Sequence, residues 1–178
     1  GNYRLEEEDF DVADLIDETL RLVAPAALHA EVNLTQRSLN PESTIVLRAD
    51  RRAVKQMLLN LQSNAIKFTP KQGEVEVNYE ATRSGLTIRT RDTGIGIPPD
   101  QHAKVLEPFT QLSNALNRTH QGTGLGLPIV RSLIEMHGGS LVIESNAGAG
   151  TTMVLHFPRE RIAVTAVPTP ALRQVRSA

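Results

Sequence analysis

The stretch DRRAVKQMLLNLQSNAIKF at residues 50–68 constrains this chain more than any other. On a helical wheel at about 100° per residue, Val54, Met57, Leu58, Leu61, Ala65 and Phe68 fall in one arc. Leu59 and Ile66 make a second apolar ridge on the far side, so such a helix is wetted on few sides. Between the ridges run Gln56, Asn60, Ser63, Asn64 and Lys67. Asn60, Asn64 and Lys67 are spaced i, i+4, i+7 and stack on one face. Asparagine is a poor residue for a helix interior because its amide competes with the backbone. The strip reads as the lining of a cleft, as a pair of amides satisfied within the core, or as a solvated stripe. The helix alone leaves all three open.

Composition narrows the field. A chain of 178 residues suggests about one domain. The 3% aromatic content, without tryptophan, makes its core aliphatic. The net charge is −1 and there is no basic run, which argues against nucleic-acid binding. The absence of cysteine excludes disulfides and thiolate metal sites. No apolar run approaches a membrane span, and the acidic opening GNYRLEEEDF is no signal peptide. It reads as the end of an upstream element. A soluble, cytoplasmic piece of a longer protein is expected, whether or not the parent is anchored to a membrane. Residues 1–10 would lead in, 11–158 would form the domain, and the Ala/Val/Pro-rich 159–178 would be a poorly ordered tail.

Along the chain, Val12, Leu15, Ile16, Leu20 and Val23 have helical spacing, with Asp11 as N-cap and Pro25 ending or kinking the helix. Residues 31–34 and 44–47 are strand candidates around a turn at Asn40-Pro41-Glu42. Asp50 caps the central helix. Residues 74–79 alternate as a half-buried strand, and Gly85 turns into 86–92, giving an antiparallel hairpin. Leu86, Ile88, Thr90 and Asp92 share one face of it. Residues 101–106 suggest a short helix. Residues 110–121 are polar, aperiodic and as long as functional loops tend to be. Pro128 suits a first helical turn, and Gly138-Gly139 a stop. Residues 141–144 and 151–157 are strands around a glycine-rich turn. The pattern predicts an α+β fold: a two-layer sandwich with one mixed sheet and most helices on one face.

Two glycine turns bracket the second half. In DTGIGIP, residues 92–98, Asp92 ends a core-facing row, so its carboxylate points inward and needs a donor. An adenine amine would suit it; so would the N–H groups of the turn that follows. Gly94 and Gly96 allow close backbone approach and positive φ. The turn is no dinucleotide fingerprint, because the third glycine is missing and two prolines follow. In GTGLGL, residues 122–127, alternate glycines expose consecutive N–H groups just before a helix, which favours phosphate. It is not a Walker loop, for no Gly-Lys-Ser/Thr follows.

These motifs resemble, in order and spacing, the boxes of sensor histidine kinases. NLQSNAIKFTP is similar to their N box, DTGIGIP to the G1 box and EPFTQ to the F box. GTGLGLPIV is similar to the G2 box, and GAGTTM at 148–153 to the last glycine box. The resemblance covers residues 11–158 and points to the Bergerat, or GHKL, group of ATP-binding folds, shared with type II topoisomerases, an Hsp90-type chaperone and mismatch-repair ATPases. It implies ATP and Mg²⁺ as ligands. By it, Asn64 would hold Mg²⁺, with Asn60 its partner one turn earlier and Lys67 on a phosphate. Asp92 would accept the adenine amine, with Gly94, Gly96 and Ile97 against the base and Thr151 in support. Phe109 would anchor a mobile lid at 110–121 whose Arg118 meets the γ-phosphate. Gly122, Thr123, Gly124, Leu125, Gly126 and Leu127 would cradle phosphates. Met153 stands where the group commonly has Phe, and Gln62 where an apolar residue is usual.

The resemblance implies phosphoryl transfer to a histidine on a separate dimerisation hairpin, and onward to a response regulator. None of the five histidines here lies in a motif like His-Glu-Leu-Arg-Thr-Pro, so the acceptor is expected elsewhere and the isolated domain to be monomeric. The alternatives are a clamp- or chaperone-type ATPase, a serine-directed kinase of the same fold, or a domain that binds without activity. Hydrolysing relatives carry Glu at the position of Asn60, and an amide is no general base.

Overall fold

The protein is seen in a computed structural model that describes residues 4–110 and 123–166. Arg118, Gly122 and all of the expected lid except Thr110 lie outside the described residues. Three helices and eight strands are described: β1 (Glu7–Asp11), α1 (Val12–Ala30), β2 (Asn33–Ser38), β3 (Ser43–Asp50), α2 (Arg51–Phe68), β4 (Glu74–Ala81), β5 (Gly85–Asp92), α3 (Gly126–Met136), β6 (Ser140–Ser145), β7 (Thr151–Pro158) and β8 (Ile162–Ala166). The helix expected at 101–106 is instead two single 3₁₀ turns, Pro99–Gln101 and Lys104–Leu106.

The strands form two sheets where the sequence pattern suggested one. The larger has the order β2-β4-β5-β7-β6; β2 runs parallel to β4 and the other neighbours are antiparallel. Its pleat sends Val75, Val77, Tyr79, Leu86, Ile88, Leu155 and Phe157 to one face, where they are buried against the helices. The smaller sheet, β1-β3-β8, adds Ile45, Leu47, Ala49 and Ile162 to the same core.

That second sheet reaches beyond both ends of 11–158. Residues 7–10 pair antiparallel with β3 and so belong to the domain. The expected tail begins with β8, whose residues 162–166 pair with the other edge of β3. Its Pro-poor opening RIAVTA offers the alternation of a strand, and Ile162 fills the core.

Helix α1 is N-capped as expected: the Asp11 carboxylate accepts from the N–H groups of Ala13 and Asp14. Pro25 does not end it; the helix runs on to Ala30. The pyrrolidine lies on the exposed side, while Val23 and Ala27 on the inner side keep the last turns seated against Val32, Ala65, Ile66 and Val75. Helix α2 is capped by Asp50, whose carboxylate accepts from Ala53 N–H at 3.0 Å. Its two apolar ridges serve two clusters: Val54, Met57, Leu58 and Leu61 face the main core, Ile66 and half-buried Leu59 the second.

Gln62, unusual for its position, is fully buried between these helices. Its amide donates to Thr19 Oγ1 at 2.9 Å, and that hydroxyl donates to the Ile16 carbonyl at 2.9 Å. The pair bolts α1 to α2 through polar contacts. Among the described residues, no helix is long and apolar enough to cross a membrane.

Candidate functional site

Strand β5 delivers Asp92 to the edge of the buried face. The register places it opposite Val75 on β4 and Thr151 on β7. Asp92 is buried, and its Oδ1 accepts two backbone N–H groups, from Gly94 at 2.8 Å and from Thr151 at 3.2 Å. Among the described residues, nothing donates to Oδ2. Burial raises the Asp92 pKa above the ordinary carboxylate value, and the two N–H groups offset part of that rise. One oxygen is thus held by the turn, while the other keeps its capacity to accept. The turn-cap reading of this residue is what the Gly94 and Thr151 N–H groups display.

The turn after Asp92 is locked by the protein's own packing. A Cβ on Gly94 would lie 2.4 Å from the Phe68 carbonyl, and one on Gly96 would lie 1.9 Å from the Asn146 carbonyl. Gly96 also has φ +69°, in the left-handed region. The space these glycines leave is therefore taken by backbone of α2 and of the β6–β7 turn, not held open for a ligand. Ile97, half-buried against the core, donates its N–H to Ser145 Oγ at 2.8 Å. That hydroxyl donates to the Gly150 carbonyl at 2.7 Å and lies 3.0 Å from Thr151 Oγ1. Ser145 thus ties the two turns together. Sequence reasoning missed it, although its place at the end of a strand facing Thr151 was the available signal.

The second glycine turn runs into α3. Leu125 is its N-cap, with no side-chain hydrogen bond to the first turn. Pro128 is the third residue of the helix and carries no N–H, so the open donors of the first turn are those of Gly126 and Leu127. Ile129 N–H already bonds to the Leu125 carbonyl. Gly126 faces the polar strip of α2: its Cβ position lies 3.7 Å from Asn64 Nδ2 and 3.9 Å from Asn60 Oδ1. Helix packing therefore brings the amides of Asn60 and Asn64 to the N-terminus of α3. Thr123 is exposed, and Leu127 packs at the rim of the core.

At the base of the loop before this turn, Phe109 has φ +62° and its ring is exposed. Its backbone rather than its ring makes the anchor, with N–H donating to the Gly124 carbonyl at 3.1 Å. Lys67, in the last turn of α2, holds Nζ 5.1 Å from the centroid of the Phe68 ring. Phe68, at the end of the first apolar ridge, is half-buried; its carbonyl accepts from Ile95 N–H beside the first glycine turn.

The candidate cleft thus has an acceptor at one end, with Lys67 and Phe68 beside the first glycine turn, and the amides of α2 with the N–H groups that open α3 at the other. The residues 49–161 match the family model for histidine kinase-, DNA gyrase B- and HSP90-like ATPases. This chain belongs to that family.

The matched span of this ATPase-family domain opens just before the cap of α2 and takes in both glycine turns and the β6–β7 turn. The chain is 40% identical to histidine protein kinase DivJ of Caulobacter vibrioides over 94% of its own length and 28% of that relative. The crystal structure of full-length ShkA in complex with AMPPNP superposes with a TM-score of 0.79 at 29% identity, covering 95% of this chain and 34% of that one. Histidine kinase ThkA in complex with response regulator protein TrrA gives a TM-score of 0.72 at 27% identity, covering 87% of this chain and 42% of ThkA. The chain spans less than a third of the length of the curated relatives it matches. The mixed α/β architecture is that of histidine kinase catalytic domains.

Proposed function

We propose that this chain is the ATP-binding catalytic domain of a two-component sensor kinase. It binds Mg-ATP and passes the γ-phosphoryl to a histidine on a separate helical hairpin of the parent protein, for onward signalling to a response regulator. The observation that carries this reading is the meeting of Asn60 and Asn64 with Gly126, at the open end of α3, while Asp92 keeps one oxygen unengaged at the other end of the cleft. A carboxylate acceptor suits an exocyclic amine, and N–H groups at a helix N-terminus suit phosphate.

The residues fit Mg²⁺ bound in the manner usual for nucleotide sites. Among the described residues, no cluster of three His, Cys, Asp or Glu side chains stands ready for a metal. Mg²⁺ on a triphosphate needs few protein ligands, and the amide oxygen of Asn64 would serve as one. The metal would neutralise phosphate charge. Asn60, Lys67 and the amides of Gly126 and Leu127 would orient the phosphates, and phosphoryl transfer depends chiefly on such positioning and charge stabilisation. In this reading Asp92 selects adenine, because guanine presents a carbonyl where adenine presents its amine. Asn60 supplies no base for water, which favours a protein nucleophile over hydrolysis.

The test is to mix the domain with a separately made acceptor hairpin from the same parent. Acid-labile, base-stable phosphohistidine should accumulate on the hairpin, slowly because tethering is lost. Rapid self-phosphorylation of the domain alone, or brisk phosphate release without a partner, would overturn the proposal.

A further inference from the structure

The residue that follows α3 is a sealed histidine. His137 has no exposed surface, and its ring meets Phe157 edge-on, with centroids 6.0 Å apart. The backbone N–H of Asp50 donates to Nε2 at 3.1 Å. An N–H can only donate, so Nε2 bears no proton and Nδ1 does. Nδ1–H then donates to the Leu133 carbonyl, 2.7 Å away and one turn back. The carbonyl of His137 accepts in turn from Arg161 Nε.

Asp50 is also the N-cap of α2. One imidazole therefore joins the end of α3 to the beginning of α2. Ten residues along α2 from Asp50 stands Asn60; eleven residues along α3 from His137 stands Gly126. Both distances are about 15–17 Å of helix at 1.5 Å per residue, and Gly126 and Asn60 face each other. The two helices are antiparallel, pinned at one end by His137 and meeting at the other where Gly126 faces Asn60 and Asn64.

We propose that His137 is a positioning residue: held neutral with its proton on Nδ1, it fixes the register of α3 on α2 and so the width of the phosphate end of the cleft. The inference rests on reading that end as a phosphate site. Protonation would set a second N–H against the Asp50 N–H and bring a charge into a sealed space. The Asp50 carboxylate is engaged already, by Ala53 N–H and Glu6 N–H. Burial, the largest influence, and the Arg161 guanidinium hold the His137 pKa below the ordinary histidine value, against the Leu133 carbonyl, Asp50 and Glu7 on β1, which favour the imidazolium. Phe157, facing the ring from β7, brings no charge.

The experiment compares MgADP affinity by calorimetry, alongside thermal melting, in wild type, H137Q, H137F, H137N and the core control I134V. The glutamine oxygen can accept the Asp50 N–H at any pH, whereas phenylalanine fills the space without an acceptor and asparagine is too short to reach. At neutral pH, H137Q should bind within about threefold of wild type, and H137F about tenfold or more weaker, as expected when a remote misplacement opens a site. I134V should melt lower yet bind as wild type. If H137F does not fold, H137N against H137Q gives the same comparison. Nitrogen NMR of the wild type should show His137 neutral, with its proton on Nδ1, at and below the pH where an ordinary histidine is half protonated. Unchanged affinity in a folded H137F or H137N, an affinity loss that tracks melting temperature across all variants, or a His137 protonated on Nε2 would overturn the inference. A wild type that fails to bind MgADP at all would instead sink the reading of the cleft.

Discussion

The two ends of the cleft are built on opposite plans. Around Asp92 the protein is its own partner: Gly94 and Thr151 donate to the carboxylate, Ser145 clasps Ile97, and carbonyls of Phe68 and Asn146 fill the spaces beside two glycines. At the other end, Gly126 and Leu127 offer open N–H groups, and Asn60 and Asn64 face a glycine at ordinary contact distance. The first end is finished before any ligand arrives, so changes there strike the fold as well as binding. The second leaves its polar groups for a ligand, so changes there strike function and spare the fold.

Gly96→Ala should break this contrast most severely. The new methyl would overlap the Asn146 carbonyl, and the left-handed backbone alone costs an L-residue about 1–2 kcal/mol. A loss of at least about 2 kcal/mol is expected in denaturant unfolding, with nucleotide binding abolished. A variant that is as stable as the wild type would show that the first turn is not prebuilt.

Asp92→Asn comes next, with effects of opposite sign. ATP affinity should fall by about 1–3 kcal/mol, the usual cost of a charge-assisted hydrogen bond. The unliganded protein should melt higher, because burial raises the Asp92 pKa and ionising it at neutral pH is a cost to the fold. The linkage follows the same sign. Between the ordinary carboxylate value and the raised one, the folded state holds more protons than the unfolded, so this group's contribution to stability declines as pH rises through that window. Adenine binding needs the carboxylate and should weaken as pH falls toward the raised value. Calorimetry and melting from pH 4 to 7 read both trends, and equal ATP and GTP affinity in the wild type would refute the assignment.

Asn64→Asp should separate chemistry from base binding. An added negative charge beside the phosphates should lower transfer to the hairpin by about 1.4 kcal/mol or more, a factor of ten, while affinity for adenosine changes little. Transfer at the wild-type rate would remove Asn64 from the metal site.

The smallest effect is expected at Gly126→Ala. Its methyl would meet nothing closer than 3.7 Å, and the position is helical. The fold should gain about 0.4–1 kcal/mol from the stiffer unfolded chain, while MgADP affinity drops modestly as the methyl enters the cleft. Two glycines drawn from the two glycine turns should thus respond with opposite signs of stability.

That pair also shows what was legible in advance. The two ridges of α2, the cap at Asp50 and the inward row ending at Asp92 follow from periodicity, which records burial directly. The split into two sheets does not, because residues 44–47 and 162–166 carry the same alternation whichever sheet they join; their pairing partners lie more than a hundred residues apart. Gly94 and Gly96 looked free for a ligand because a sequence shows the missing side chain but not the carbonyl that occupies its place. Pro25 misled for a related reason: a proline whose ring faces outward is tolerated when the inner side of the helix is well packed. Ser145 went unnoticed because a serine at a strand end is ordinary until the opposite turn is known.

The small sheet sets a timetable for folding. Strand β3 leads directly into the cap of α2, and its far edge stays unpaired until Ile162–Ala166 have been made. Arg161 then bridges to Glu7, across nearly the whole chain, and to the carbonyls of Arg48 and His137. During synthesis the polar strip of α2 can form early, but the contacts that steady its first turn wait for the last strand. A nascent chain stopped before residue 162 would carry both glycine turns and every residue of the cleft described here, yet lack the closure that holds them in register.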